Sequence, residues 1–258
     1  MRPSMDPDGA AAPVVGYAYD FEPGEVPAHA HARRAQLVYA VRGAMTVSTD
    51  RGRWVLPPGR ALWVPPGTLH AMSNARPLML RTLYFAPDME GVGHRDDCAV
   101  LGVPPLVREL IVASVGLPWT YAADGPEARL VRVLLDRLAL LPQEPIHVPE
   151  PTDPRARAAA DAMRRDPADR RPIGAIAREA GASERTLERL FLRDTGMGVG
   201  AWRLRMRMLA ALEHLAAGAS VASTALDVGY GNASGFIASF RSTFGTTPSR
   251  FFEERDPA

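Results

Sequence analysis

His29 and His31 alternate along the chain, so in an extended strand both imidazoles leave the same face. Neutral imidazoles brought together in this way line a pocket or ligate a divalent cation. A second chemically able set sits far downstream, where Arg185, Thr186, Glu188 and Arg189 fall within five residues. A guanidinium bonds guanine O6 and N7 together, and a carboxylate accepts from cytosine N4. On a helix these side chains share an exposed face.

The elements that must position both sets are expected to form two domains, since 258 residues exceed the usual single-domain size. With 47% hydrophobic and 23% charged residues the composition is globular. Residues 152–258 hold 16 Arg against 13 acidic residues, whereas residues 1–151 hold 14 against 16, so a net charge of +1 hides halves of +3 and −2. There is no lysine, and every fixed cation is therefore a guanidinium, suited to bidentate contact with phosphate or guanine. No apolar run approaches the ~20 residues of a membrane span, and no basic stretch leads into an apolar one at the N-terminus, so the chain is expected in the cytoplasm without a membrane partner. Cys98 is the only cysteine, which excludes an internal disulfide and a cysteine-cluster metal site.

From Val14 the chain reads as short extended pieces between Gly and Pro: QLVYAVRG, AMTVSTDRGRWVLPPG, ALWVPPG, LMLRTLYF. This is an all-β pattern with a hairpin turn at Asp50-Arg51-Gly52 and prolines at strand ends. After His31 come Gln36 and Gly43; Gly59 then precedes Pro65, Gly67, His70 and Asn74. At these spacings His29, His31, Gly43, Gly59, Pro65, Gly67, His70 and Asn74 resemble the two motifs of the cupin superfamily, with Gln36 where the family usually has Glu. The resemblance implies a β-barrel over residues 14–95 and brings His70 to His29 and His31. It also implies a metal site of His29, His31, Gln36 and His70, in which a neutral Gln carbonyl is a weaker fourth ligand than a carboxylate. The same histidines equally suit a metal-free pocket. Trp63, Arg81 and Tyr84 are candidate ligand-binding walls, Arg81 for an anionic group; each is also readable as core or outward-facing.

Residues 105–117 and 125–141 show three- and four-residue apolar spacing, the mark of amphipathic helices. Leu130, Leu134, Leu138 and Leu141 form one stripe, which packs on the barrel or pairs with its copy in a homodimer. Residues 96–141 are thus a helical subdomain, residues 142–152 a Pro-rich linker, and residues 1–13 a flexible tail.

Beyond Asp153 the signals are helical. A helix from Ile173, a turn at Gly181-Ala182 and a helix capped by Ser183 make a helix-turn-helix. The pattern returns: Ala225 answers Ala177, Gly229 answers Gly181, Asn232 answers Ser183, Phe240 answers Phe191 and Gly245 answers Gly196, at an offset of 48 before the turn and 49 after it. A long helix from Val199 to Ala217 joins the units. This tandem over residues 153–258, with its Gly245-Thr246-Thr247-Pro248 ending, resembles the DNA-binding domain of the AraC/XylS family. The whole chain looks most like AraC-type regulators with a cupin sensor, the group that includes nitroimidazole-resistance and efflux regulators. The expected architecture is therefore a two-domain α+β chain, with a cupin β-barrel and flanking helices followed by an all-α tandem helix-turn-helix domain.

The resemblance implies a sequence-specific, non-enzymatic transcription regulator controlled by a small-molecule or metal ligand, working on double-stranded DNA as a homodimer with RNA polymerase as a further partner. Arg185, Thr186, Glu188 and Arg189 would read the major groove in the first unit, and Ala233, Ser234 and Ile237 in the second. Two alternatives are a metal-dependent cupin enzyme and a ligand-binding adaptor without DNA.

Overall fold

The computed structural model describes residues 6–87, 89, 95–144 and 146–253. They divide into two compact units, residues 6–49 with 56–144 and residues 50–55 with 146–252. The first unit contains β1 (Val14–Phe21), β2 (Gly24–His29), β3 (Ala35–Arg42) and β4 (Met45–Ser48). After β5 (Gly52–Leu56) it continues with β6 (Arg60–Val64), β7 (His70–Asn74), β8 (Leu78–Phe85), β9 (Ala99–Gly102), α1 (Pro105–Val115), α2 (Pro126–Ala139) and β10 (Gln143–Glu144). One antiparallel sheet runs β1-β8-β3-β6-β9-β10, and within this unit the other runs β4-β7-β2.

Strand alternation separates two environments. On β3, Ala35, Leu37 and Tyr39 join Trp63, Leu83 and Phe85 on the sheet's outer face, where α1 and α2 cover them with Val107, Ile111, Val131, Leu134 and Leu138. The apolar stripe of α2 is therefore spent on the sheet, each buried leucine contributing roughly 1.5–3 kcal/mol. Gln36, one residue out of phase, faces the other way, toward β2 and β7.

Two expectations need correction. The tail is packed from Asp6 onward: Asp8 accepts the backbone N–H groups of Ala32, Arg33 and Arg34 at 2.7, 3.3 and 3.1 Å. The Arg34 guanidinium, 5% exposed, donates to the carbonyls of Ala10, Ala12 and Pro13 at 2.7, 3.0 and 3.3 Å. A segment with no periodicity is held by its own carbonyls, a signal that composition does not carry. Residues 1–5 of that tail lie outside the described residues. Nor is the Pro-rich linker free of structure. β10 pairs with β9, and β11 (His147–Pro149) pairs with β5, His147 opposite Trp54. Stacking of those two rings at 6.0 Å gives His147 a partner.

The second unit holds α3 (Pro154–Arg165), α4 (Ile173–Glu179), α5 (Glu184–Thr195), α6 (Val199–Ala216), α7 (Val221–Asp227), α8 (Ala233–Phe244) and α9 (Pro248–Glu253). Caps set these bounds. Ser183 accepts from Thr186 N and Asn232 from Gly235 N, each satisfying a donor left over in a first helical turn. Gly181 and Gly229 take φ of 73° and 86° in the two turns, a left-handed backbone that side-chain-bearing residues rarely adopt.

Candidate functional site

Between the sheets of the first unit lies a cavity of about 430 Å³. Tyr17, Tyr19 and Phe21 of β1, Leu80, Thr82 and Tyr84 of β8, and Gln36 of β3 form one side. Glu25, Val26, Pro27 and His29 of β2 with Met72 of β7 form another, and His31 and the buried Pro7 complete it.

Ligand atoms of His29, His31 and His70 lie within 4.8 Å of one another. Two of these rings are oriented by backbone carbonyls. His29 Nδ1 lies 2.9 Å from Pro27 O, and His70 Nδ1 lies 2.9 Å from Thr68 O; each Nδ1 must donate, leaving the lone pair on Nε2. His70 is 1% exposed and its Nε2 has no hydrogen-bond partner among the described residues, as is also true of His31 Nε2. Burial pushes the His70 imidazole down to about 4 and lowers that of His31 as well. Both are therefore neutral at physiological pH. Gln36 donates from Nε2 to Thr82 Oγ1 at 2.9 Å and to Tyr84 Oη at 3.2 Å, while its Oε1 is buried without a partner among the described residues. Lone pairs on oriented rings and a free amide oxygen are what a divalent cation requires of its ligands, so the expected set of His29, His31, Gln36 and His70 fits such an ion chemically.

Of the three proposed wall residues the cavity takes only Tyr84. Trp63 pairs with Leu37 rather than Gln36, so the period of two sends its ring to the helix-covered face, 5.2 Å from Phe85. Arg81 pairs with Tyr39 on that outward parity and lies 3.6 Å from Asp20. Sequence reading passed over Tyr17, Tyr19 and Phe21, whose rings follow one another at 5.5 and 5.4 Å. Three aromatics at alternate positions of an eight-residue run were the available signal.

In the second unit Ile176, Ala177, Leu187, Leu190 and Phe191 are buried together, and Ala225, Phe236 and Phe240 repeat them. Between the repeats α6 buries Trp202, Met206, Leu209 and Leu212. Arg185 and Arg189 stand exposed on α5, one turn apart, and neither has a polar partner among the described residues. On α8, Ser234 is exposed while Ala233 and Ile237 are half-buried.

Other polar side chains, the candidates Thr186 and Glu188 among them, are partly engaged. Glu188, expected on the reading face, accepts from Val199 N at 3.1 Å and so caps α6. Thr186 Oγ1 is 2.9 Å from the Ser183 hydroxyl. Arg203 donates to Arg171 O at 2.8 Å, and Arg207 donates to Pro167 O and Asp169 O at 2.8 and 2.6 Å. Both guanidinium groups are thus tied inward.

Asp194, at the end of α5, accepts from Thr152 N and Asp153 N, both at 2.8 Å, and from Arg193 Nε at 2.6 Å. Hydrogen bonding from Arg193 and these amides holds its carboxyl well below the usual carboxylate range. A depressed carboxyl stabilises the fold above its unfolded value of about 4, and that contribution is lost as pH falls through the folded value. Asp194→Asn is therefore expected to be less stable than the parent at pH 7. Urea denaturation repeated below about pH 4 should show the difference shrinking as the parent carboxylate takes up its proton.

Residues 12–92 match the family model of the AraC-like ligand binding domain, and residues 176–254 match that of a helix-turn-helix domain. The HTH-type transcriptional regulator NimR of Escherichia coli strain K12 is 32% identical over 225 residues, covering 87% of this chain and 81% of that protein. The chain belongs to the AraC family of transcription regulators. It is a DNA-binding regulator with a ligand-binding domain, of two-domain α+β fold, and the relatives it matches are HTH-type transcriptional regulators. The regulator is also 34% identical over 122 residues to the HTH-type transcriptional regulator RipA of Corynebacterium glutamicum, covering 47% of this chain and 35% of that one. Among solved structures, ToxT of Vibrio cholerae O395 aligns with TM-score 0.41 at 9% identity, covering 95% of the regulator and 99% of ToxT. No helix among the described residues is long and apolar enough to cross a membrane.

Proposed function

We propose that the occupant of the cavity between the sheets sets the affinity of the tandem helix-turn-helix for its operator, and that operator sequence is read mainly by Arg185 and Arg189. The observation that carries the second part is the inequality of the two units. The exposed guanidinium groups of Arg185 and Arg189, without polar partners among the described residues, stand on α5, whereas α8 offers Ala233, Ser234 and Ile237. The first unit then specifies guanines. The second adds thymine-methyl and backbone contacts that fix position.

Thr186 supports the entry of α5 through its contact with the cap, and Glu188 acts through α6. Arg189→Ala is expected to cost ~1–3 kcal/mol of operator binding and to relax preference at one position. Glu188→Ala should instead cost ~0.5–2 kcal/mol of fold stability with the preferred sequence unchanged. Selection of bound fragments from randomised DNA, beside urea denaturation, separates the two. A Glu188 variant with altered base preference would overturn this division of roles.

His29, His31 and His70, with Gln36 as fourth ligand, are proposed as a site able to hold a divalent ion, which would supply a charge beside the cavity. The chain's own contribution is to orient the rings through Pro27 and Thr68 and to keep His70 neutral. Metal analysis of untagged protein after zinc, nickel and iron supplementation tests this, and a clean absence rejects it. The protein is proposed to act in the cytoplasm as a homodimer, for which light scattering gives the mass, and to meet RNA polymerase at the promoter. No catalysis is proposed, because a regulator needs only differential binding.

A further inference from the structure

We propose that the effector cavity is selective for a small organic cation carrying N–H donors and an apolar or aromatic body; this rests on the reading of that cavity as the effector site. Four observations converge on the class. First, the described residues of its lining include no Arg, while Asp20 and Glu25 are both among them. Arg81, the residue expected to receive an anion, lies outside the lining, and its guanidinium is directed at Asp20 at 3.6 Å, partly offsetting that one carboxylate. Glu25 is exposed and has no polar partner among the described residues.

Second, the unpartnered polar atoms of known character at the cavity are acceptors. Gln36, in the lining and only 1% exposed, has its Oε1 unpartnered among the described residues, and His29, also in the lining, is turned by Pro27 so that its Nε2 presents a lone pair. Behind it, with ring centroids 4.4 Å apart, stands His70, whose Nε2 is likewise unpartnered among the described residues. Buried acceptors without donors are costly to leave unsatisfied, so the missing partner is a donor. Third, Tyr17, Tyr19 and Phe21 face the same space in a tilted ladder, and the faces of such rings attract a cation while their area accepts an apolar body. Fourth, about 430 Å³ is far more room than a bare ion fills and is the size of a one- or two-ring molecule. The N–H donors of the guest take the lone pairs that a divalent ion would otherwise take. The two occupants are mutually exclusive.

Three molecules of nearly one shape test the class: benzamidinium, benzamide and benzoate differ in charge while sharing a ring and a planar head. Calorimetric titration of the full-length chain is expected to give benzamidinium at least about tenfold tighter binding than either of the others. Glu25→Gln, a change at an exposed position that the fold tolerates, should narrow that ratio, and Tyr19→Leu should weaken benzamidinium binding. Zinc added first should block it. Equal or tighter binding of benzoate overturns the proposal, and so does zinc binding with no response to benzamidinium at millimolar concentration.

A parallel titration with a genomic DNA fragment selected by the protein separates this claim from the one beneath it. Should benzoate be preferred and shift DNA affinity, the effector site stands and the cationic class falls. Should benzamidinium be preferred yet leave DNA affinity unchanged, the selectivity of the cavity stands and its regulatory role falls.

Discussion

Replacing Trp202 with alanine is expected to destabilise the second unit by about 3–5 kcal/mol, the range for removing a fully buried large aromatic. The ring is 0% exposed, meets Phe191 edge-on at 5.3 Å and lies beneath the Arg164 guanidinium at 5.2 Å. Its Nε1 donates to Pro149 O at 2.8 Å, so truncation also strands an acceptor. Trp202→Phe keeps most of the volume and loses that hydrogen bond, and should cost closer to ~1 kcal/mol beyond the smaller ring. Urea denaturation measures both.

The consequence for function follows from where Trp202 stands. It anchors α6, and α6 is the element that sets the spacing between the two helix-turn-helix units. Operator affinity of the alanine variant should therefore fall even under conditions where most molecules remain folded. Unaltered DNA binding by a destabilised Trp202→Ala protein would show that the second unit contributes little.

Acidification should remove about 3 kcal/mol from the first unit between pH 6.5 and pH 4, through His70 alone. The sign follows from which state binds the proton. Burial pushes the folded imidazole down to about 4 from an ordinary value of 6.5, so across that interval the unfolded chain is protonated at this position and the folded chain is not. The stabilisation is fully present above the unfolded value and is lost as pH falls toward the folded one. Unfolding measured across this range with a chelator present, so that protons are the only cations competing for the ring, should show the slope. His70→Gln should flatten it. His31, lowered by burial in the same direction, leaves a residual slope in that variant. A His70→Gln protein with the parent's full pH dependence would place the titration elsewhere.

The same ring illustrates why part of the site was open to sequence reasoning and part was not. The spacing of His29, His31 and His70 within the motifs was legible, and so was their convergence through the resemblance. The neutrality of His31 and His70 comes from burial, and the direction of the lone pairs on His29 and His70 depends on Pro27 O and Thr68 O, which become partners only once β2 and the loop before β7 are folded. Trp63 and Arg81 show the corresponding failure. Residue type suggested a binding wall, but parity across three paired strands decides which face a side chain takes, and a shift of one residue reverses it.

By itself the sequence determined whatever rests on local order. Three- and four-residue periodicity, the Ser183 and Asn232 caps and the glycines at turns specify the helices, and their return at offsets of 48 and 49 specifies two matching units. Short strands between Gly and Pro specify the β-rich half. Tertiary structure alone decided what depends on partners far apart in the chain: the aromatic ladder facing oriented imidazoles, the diversion of Glu188 to the end of α6, and the packing of the N-terminal segment by Asp8 and Arg34. The physical reason is range. Backbone preference and amphipathic period act over a few residues, whereas strand register and buried hydrogen bonds are fixed only when distant segments meet.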